Sequence, residues 1–373
     1  MTALAGLPGM GPRRLLAIHL LHEPAVAWHR IVAGEGDRLD GLAGRRGRVT
    51  DDVARAWRRA AAVVDVSALW AAHARAGVHV ARLGEGGYPS ALAHDLEPPA
   101  VVFRLGPLAM LEGPRVAVVG TRRCSRLGAE LAQRLGRELS EAGVHVVSGL
   151  ALGIDAAAHR GALGAGASAA GPIGVVASGL DVAYPARNRR LWDAVVEQGA
   201  LLSESPLGQR PDAWRFPARN RIIAALAEAV VVVESGDRGG SMYTVDEALA
   251  RDRAVLAVPG PVGPAVAEGT NRLLVEGATP VRDAVDVLCA LGRPVPARTR
   301  SGHATGPPAL DARGRAIVAA LDHGPRTLDD LVDHTGLTLG AVALAVEVLV
   351  AEGWLARRGA HLERAAGPEV GRP

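Results

Sequence analysis

The chain has 373 residues, 42 basic and 39 acidic, for a formal net charge of +3, and only 3% of it is aromatic. Every basic residue is arginine, so arginine carries each cationic role. This length supports two or three domains with at least one large core, while the near-balanced charge excludes a global polyanion-binding field and requires any nucleic-acid contact to be a local patch. Cys124 and Cys289 have no metal-ligand spacing and give no disulfide framework. Met1 to Gly11 lacks a charged n-region and a long apolar core, and no apolar stretch is long enough to span a bilayer. A soluble, cytoplasmic protein with no membrane partner is expected.

Residues 1–75 read as a helical domain, with apolar spacing in Leu15–Leu21 and again in Val53–Val64. The turn Leu7-Pro8-Gly9-Met10-Gly11 is similar to the hairpin of helix-hairpin-helix modules, which presents backbone N–H groups to a phosphate. A small helical docking domain fits the same residues and is the preferred reading. Short strands are expected at Val78–Val80 and Val101–Arg104.

From Arg115 strands and helices alternate regularly. Strands are predicted at Val116–Val119, Val144–Val147, Ile173–Val176, Ala200–Leu202, Val230–Glu234 and Val255–Val258. Helices are predicted at Ser125–Ala142, Ala156–Leu163, Arg189–Gln198, Ile222–Ala227 and Thr244–Arg251. The strands are short, continuous and apolar, as expected when helices cover both faces of a sheet. The fold class is therefore α/β, a doubly wound parallel sheet with right-handed crossovers. In the first helix Leu127, Leu131, Leu135 and Leu139 recur every four residues, Ser125 is the expected N-cap and Gly143 the C′ stop. The loop before it, Gly120-Thr121-Arg122, lies at a helix N-terminus, where amides and the helix dipole favour phosphate. It lacks the second glycine of a dinucleotide fingerprint, because Arg122 stands there. An anion held by a side chain together with backbone groups, and an ordinary tight turn with a solvated arginine, fit this loop equally.

Residues 293–310 read as a Pro/Gly-rich linker, 311–365 as a winged helix and 366–373 as a tail. Helices are expected at Gly314–Leu321, Leu328–Thr335 and Leu339–Glu352, the last capped by Thr338 and followed by a hairpin. Between Asp311 and Glu363 five arginines face eight acids, a net charge of −3. The third helix carries no arginine and little that could reach a base edge, so this module is expected to bind protein or its own chain.

In an open parallel sheet ligands bind beyond the carboxyl ends of the strands. Those ends carry Gly120-Thr121-Arg122, Ser148-Gly149-Leu150, Ser178–Asp181, Ser203-Glu204, Glu234-Ser235 and Pro259-Gly260. Phe216–Arg221 and Gly239-Gly240-Ser241 precede further helices. The rim offers Arg122, Arg187, Arg189, Arg219 and Arg221, several hydroxyls, glycine backbone and the ring of Phe216. It offers no nucleophile beside a base, no paired carboxylates with a substrate role and no metal-ligand spacing, so no cofactor, metal or catalytic residue is expected. Asp155 and His159 lie four apart on one helix; they read as an N-cap and a packed or solvated helix residue. Arginine, a stacking aromatic and backbone donors are together suited to a nucleic-acid backbone with unpaired bases.

The motifs VAVVGTRRCSRLG (116–128), VVSGLALGIDAAAHRGAL (146–163), LLSESPLGQRPDAWRFPARNRIIAAL (201–226), VVVESGDRGGSMYTVDEAL (231–249) and EGTNRLLVEGA (268–278) closely resemble the DNA-processing protein A (DprA/Smf) family. The resemblance covers about residues 77–290. It implies an extended Rossmann-like domain over 76–292, flanked by a helical (SAM/helix-hairpin-helix-like) domain and a winged helix. It also implies a non-enzymatic, single-stranded DNA-binding protein that protects incoming DNA in natural transformation and loads the RecA recombinase. Homodimerisation through the C-terminal part of the Rossmann-like domain is implied as well. On matching positions Arg122 would hold a phosphate, Phe216, Arg219 and Arg221 would frame the strand, and Gly239, Gly240 and Ser241 would donate to it. Gly120, Thr121, Ser148, Gly149, Arg187, Arg189, Asn220 and Asn271 complete the implied DNA-binding set. The family's usual Arg-Ser-Gly-Ser is Arg238-Gly239-Gly240-Ser241 here, one hydroxyl fewer.

The rival reading is an enzyme. Gly240–Glu247 loosely resembles the PGGxGTxxE loop of nucleotide phosphoribohydrolases on a related fold, in which the glutamate takes part in catalysis. Ser241 and Tyr243 stand where two of that motif's glycines would be. A transcription regulator acting through the winged helix is the third reading, disfavoured by that module's charge.

Overall fold

Runs of β-branched and small apolar residues build one nine-stranded sheet: β1 (His79–Arg82), β2 (Val101–Leu105), β3 (Arg115–Val119), β4 (His145–Ser148), β5 (Ile173–Val175), β6 (Ala200–Ser203), β7 (Ala229–Val232), β8 (Ala254–Ala257) and β9 (Thr279–Pro280). The computed structural model describes residues 1–39, 49–294, 310–322 and 324–365. They fall in two units, Met1–Pro296 and Ala297–Pro373. Most of the expected linker and the whole of the tail at 366–373 lie outside the described residues.

The strand order is β1-β2-β6-β5-β4-β3-β7-β8-β9. From β6 across to β9 every pairing is parallel. β2 runs antiparallel to β6, and β1 antiparallel to β2, giving the parallel sheet an antiparallel edge. All five residues of β3 are buried, because helices cover both faces. Val116 and Val118 pack with Leu135, Leu139 and Ile154 on one face. Ala117 and Val119 pack with Ile222, Ile223 and Val245 on the other. After β3 the chain steps outward through β4, β5 and β6, then returns to place β7 on the other side of β3. The strand order thus reverses between β3 and β7, which opens a crevice at their carboxyl ends.

The helix Arg126–Glu141 follows β3 as expected. The Ser125 hydroxyl accepts from Gly128 N at 2.9 Å, and Gly143 closes the end at φ +78°. Its buried face holds Leu135 and Leu139 of the four-residue leucine repeat, with Leu131 partly buried against the same cluster, but not the first leucine. Four residues turn 400°, so that stripe drifts round the helix, and Leu127 is 68% exposed. The buried set is Gly128, Ala132, Leu135, Gly136, Leu139 and Ser140. The two glycines of this helix and its neighbour Ile154–Leu163 set a close approach. A Cβ on Gly136 would stand 2.1 Å from Ala158 O, and one on Gly161 would stand 1.9 Å from Gln133 O.

The N-terminal helices (Thr2–Ala5, Pro12–Leu21, Pro24–Ala33, Asp51–Ala61 and Val66–Arg75) share one hydrophobic cluster with the sheet edge, in which Leu4, Ile31 and Trp57 pack with Phe103, Trp192 and Leu201. In the Gly9 turn Leu7 and Met10 are buried, Trp57 Nε1 donates to Pro8 O at 2.9 Å, and Arg14 donates to Gly9 O at 2.7 Å. His73 Nε2 accepts from Leu207 N at 3.1 Å, tying the last of these helices to the loop after β6.

The second unit has helices Ala312–Ala320, Leu328–Thr335 and Leu339–Ala351, then a hairpin of Leu355–Arg358 with His361–Arg364. Arg326 bridges to Leu362 and extends the wing. Thr338 caps the third helix through Ala341 N. The wing arginines are spent on neighbours, Arg357 on Glu347, Arg358 on Glu363 and Arg364 on Asp322. Leu344 and Val348 of the third helix are exposed where a DNA-reading helix would carry cations. Among the described residues no single helix is long and apolar enough to cross a membrane.

Two stability predictions follow from this packing. Gly136→Ala must push the two helices apart and should cost about 1–3 kcal/mol in chemical denaturation. An unchanged midpoint would show that the helices give way freely. His159 is fully buried, and burial holds its imidazole down at about 4. It stays neutral in the fold but charges in the unfolded chain below the ordinary value near 6.5, so its contribution is present above that value and lost as pH falls towards 4. Wild type should lose about 2 kcal/mol more than His159→Leu between pH 7 and pH 5; parallel pH profiles would contradict this.

Candidate nucleic-acid interface

The loop after β3 is shaped by the end of β7. Thr121 N donates to Glu234 O at 2.7 Å. The Glu234 carboxylate accepts from Ser125 N at 2.7 Å and from Ser125 Oγ at 2.6 Å. A Cβ on Gly120 would strike Ile154 and Glu234 O, and one on Gly128 would strike the same carboxylate. Glu234 therefore fills the N-terminus of helix Arg126–Glu141 that the sequence offered to phosphate. The anionic partner that the helix dipole favours is already built in. What remains for an outside anion is the side chain of Arg122. Exposed and in no ion pair among the described residues, its guanidinium lies 5.4 Å from the Phe216 ring centroid.

Arg122 and Phe216 open onto a groove of about 580 Å³ in the crevice between β3 and β7. One side comes from helix Arg215–Leu226, with Phe216, Asn220 and Ile223 at helical spacing. The other comes from Gly239, Gly240 and Ser241 with Tyr243 and Thr244 of helix Met242–Leu249. Neither helix has a side-chain N-cap; the amides of Arg215, Met242 and Thr244 donate instead to the carbonyls of Asp212, Gly239 and Ser241 at 3.0 Å, and Pro217 has no N–H to offer. A Cβ on Gly240 would meet nothing within 4 Å, which leaves that backbone open to a ligand. Ser241 Oγ is turned inward onto Ser235 Oγ at 2.8 Å.

Arg219 lies in the groove floor rather than on its rim. It is 7% exposed and donates to Val175 O. A Cβ on Gly149 would stand 2.1 Å from its Nη1, so any larger residue there would displace the guanidinium. Asp155 is also buried, its carboxylate accepting from Gly149 N at 3.1 Å. Burial pushes the Asp155 carboxyl up and Arg219 down to about 10, and the attraction between the two opposes both shifts. Arg219 thus stays cationic at neutral pH and supplies a fixed positive charge beneath the groove. Asp155 is not the N-cap of its helix; Gly153, at φ +79°, takes that place because a Cβ there would strike Thr121 O.

Several expected residues fall elsewhere. Ser148 is buried and donates to Val118 O at 2.7 Å. Arg221 points away from the groove, paired with Glu204 and donating to Glu97 O at 2.5 Å. Asn271 clamps the backbone of Gly260 through both amide atoms at 3.1 Å. Arg187 and Arg189 are exposed but do not line the groove, and Arg189 pairs with Asp193 at 3.1 Å. The sequence reading missed Tyr184, whose ring lies 5.5 Å from that of Phe216, and Asn188, which donates to the carbonyls of Leu150 and Ala151. Both belong to the segment YPARNR (184–189), in which Arg187 and Arg189 are the more evident ligand candidates.

As a whole the site has a cationic guanidinium over an aromatic ring, open glycine backbone, a buried charge below and aromatic edges. Among the described residues no group of His, Cys, Asp or Glu could hold a metal ion. Comparison with known proteins places this arrangement. Residues 79–292 match the family profile of DNA recombination-mediator protein A, and residues 301–349 match the DprA winged helix domain. The chain is 42% identical over 201 residues to DNA processing protein DprA of Streptococcus pneumoniae, 54% of this chain and 70% of that one. The X-ray structure of the Streptococcus pneumoniae protein superposes with a TM-score of 0.60 at 32% identity, covering 74% of this chain and 95% of that one. DNA processing protein A from Helicobacter pylori, described for its single-stranded DNA binding mode, superposes with a TM-score of 0.51 at 28% identity, covering 57% and 95%. The chain belongs to the DNA recombination-mediator protein A family, the DprA/Smf proteins.

Proposed function

We propose that this protein processes DNA by binding it as a single strand in the groove between β3 and β7, without catalysing a reaction. The observation that carries the reading is Arg122 standing over Phe216 at the mouth of a groove lined with open glycine backbone. A guanidinium and backbone amides suit the phosphates, and an aromatic face suits an unpaired base of any identity. The single-stranded DNA binding mode described for the Helicobacter pylori relative supports the same assignment.

In this reading Gly120, Thr121, Arg122, Phe216, Asn220, Gly239 and Gly240 meet the strand, while Arg219 acts from below through its charge. The enzyme reading loses its key residue. Glu247, where the phosphoribohydrolase loop has its catalytic glutamate, is paired with Arg251, which also holds Asp95, and does not line the groove. We assign to this protein the loading of a RecA-type recombinase in natural transformation, a role that the family's description as a recombination mediator supports, and we place that work in the cytoplasm. We also assign a homodimer through the C-terminal part of the Rossmann-like domain, where Leu249, Val262 and Val275 are exposed. The winged helix, with its wing arginines already paired, is assigned to a protein partner.

Arg122→Ala should weaken binding of a labelled oligonucleotide similarly for all base compositions, because a phosphate contact carries no base information. Its log–log salt slope should become shallower by about one contact. A folded variant that keeps both affinity and slope would return Arg122 to a solvated loop.

A further inference from the structure

We propose that Tyr243 is a second base-stacking platform, facing the same groove as Phe216, so that the site takes two unpaired nucleobases on rings supplied by different helices. The inference rests on the single-strand reading above and extends it to a residue that the resemblance does not assign. The chain holds two phenylalanines and three tyrosines. Phe103 is buried in the core, and Tyr88 is buried with its hydroxyl donating to Pro99 O at 2.7 Å. Every other Phe or Tyr lies at this site. Phe216 and Tyr243 line the groove, and Tyr184 and Phe216 line the small cavity of about 80 Å³ beside it.

These rings are not equally available. Phe216 is partly buried, with Arg122 over it and Tyr184 tilted against it. Tyr243 is 56% exposed and has no ring, cation or hydrogen-bond contact among the described residues. Tyr243 is open although the next residue, Thr244, is buried, so its ring faces are free to take a planar ligand. Phe216 and Tyr243 are each the second residue of a helix without a side-chain cap, and both helices begin at the groove. Each ring therefore sits in the first turn of its helix at one channel, so that the pair offers two stacking faces supplied by different helices. The volume of about 580 Å³ lies within the range for sites that enclose a ligand larger than one base.

The test uses the full chain and a fluorescent oligothymidylate, with affinity followed by anisotropy over a range of salt. Tyr243→Leu keeps an apolar side chain at an exposed position and removes only the ring; its affinity should fall about tenfold, within the range for one lost base stack. Its log–log salt slope should stay that of the wild type, because no phosphate contact is lost. Tyr243→Phe should bind within about twofold of the wild type, since the π-face is kept. Ultraviolet irradiation of the wild-type complex with a strand carrying 5-iododeoxyuridine should crosslink the peptide containing Tyr243. Unchanged affinity of Tyr243→Leu beside weakened binding by Phe216→Leu would overturn this inference and leave the single-strand reading standing. A changed salt slope for Tyr243→Leu, or crosslinks that spare its peptide, would also overturn it. Failure of the wild type to bind the oligonucleotide would overturn the reading and the inference together.

Discussion

The carboxylate of Glu234 is the interaction on which the site depends. It joins the end of β7 to the start of the helix after β3, across the one place where the strand order reverses. Satisfying Ser125 N and Oγ from within the chain takes the strongest anion site of a doubly wound sheet out of use. It also fixes the loop between. Thr121 N is held by the Glu234 carbonyl, Gly120 and Gly128 lie too close to Ile154 and Glu234 to carry a Cβ, and Arg122 is turned out over Phe216. A fold that commonly holds a pyrophosphate on a helix terminus here presents a side-chain cation and an aromatic ring instead. That exchange suits a polymer threaded through a groove better than a nucleotide enclosed at one loop.

A second constraint is the pair of cations at different depths. Arg122 is exposed and adjustable, while Arg219 is buried, donating to Val175 O and attracted by the nearby Asp155 carboxyl. A charge fixed in a region of low dielectric acts on an approaching anion without reorganising, whereas the exposed one is screened by salt. The protein thereby makes a local patch from a sequence of net charge +3. Other arginines are consumed by structure: Arg251 by Asp95 and Glu247, Arg221 by Glu204, and the wing arginines by acids of their own module.

β9, only Thr279-Pro280, carries no apolar run and was missed, but the other six parallel strands were legible because each is a short, mostly apolar run that leads into glycine or a hydroxyl, a pattern that survives errors of one or two residues at the ends. The antiparallel orientation of β1 and β2 was not, since periodicity gives a strand but not its direction. At the site, the loops that reach the groove were legible from composition at the strand ends. Which polar side chains remain free was not. Arg221 meets Glu204 and Glu97, and Ser148 meets Val118, through contacts that sequence spacing does not encode. Arg219 and Arg221 are two residues apart on one helix, 200° round its axis, and that rotation alone separates groove from core. The helix amides offered by the sequence were real, but the residue that occupies them is 109 positions away.

The central claim is that the groove accepts nucleobases as well as phosphates, and pairing state is the variable that isolates it. The direct measurement is the affinity of the full chain for one oligonucleotide, alone and annealed to its complement, over a series of salt concentrations. Stacking on exposed rings requires unpaired bases, so the single strand should bind more tightly at every salt, with the preference persisting where phosphate contacts are screened. Equal affinity for the two forms would contradict the account, for it would mean that only the backbone is read.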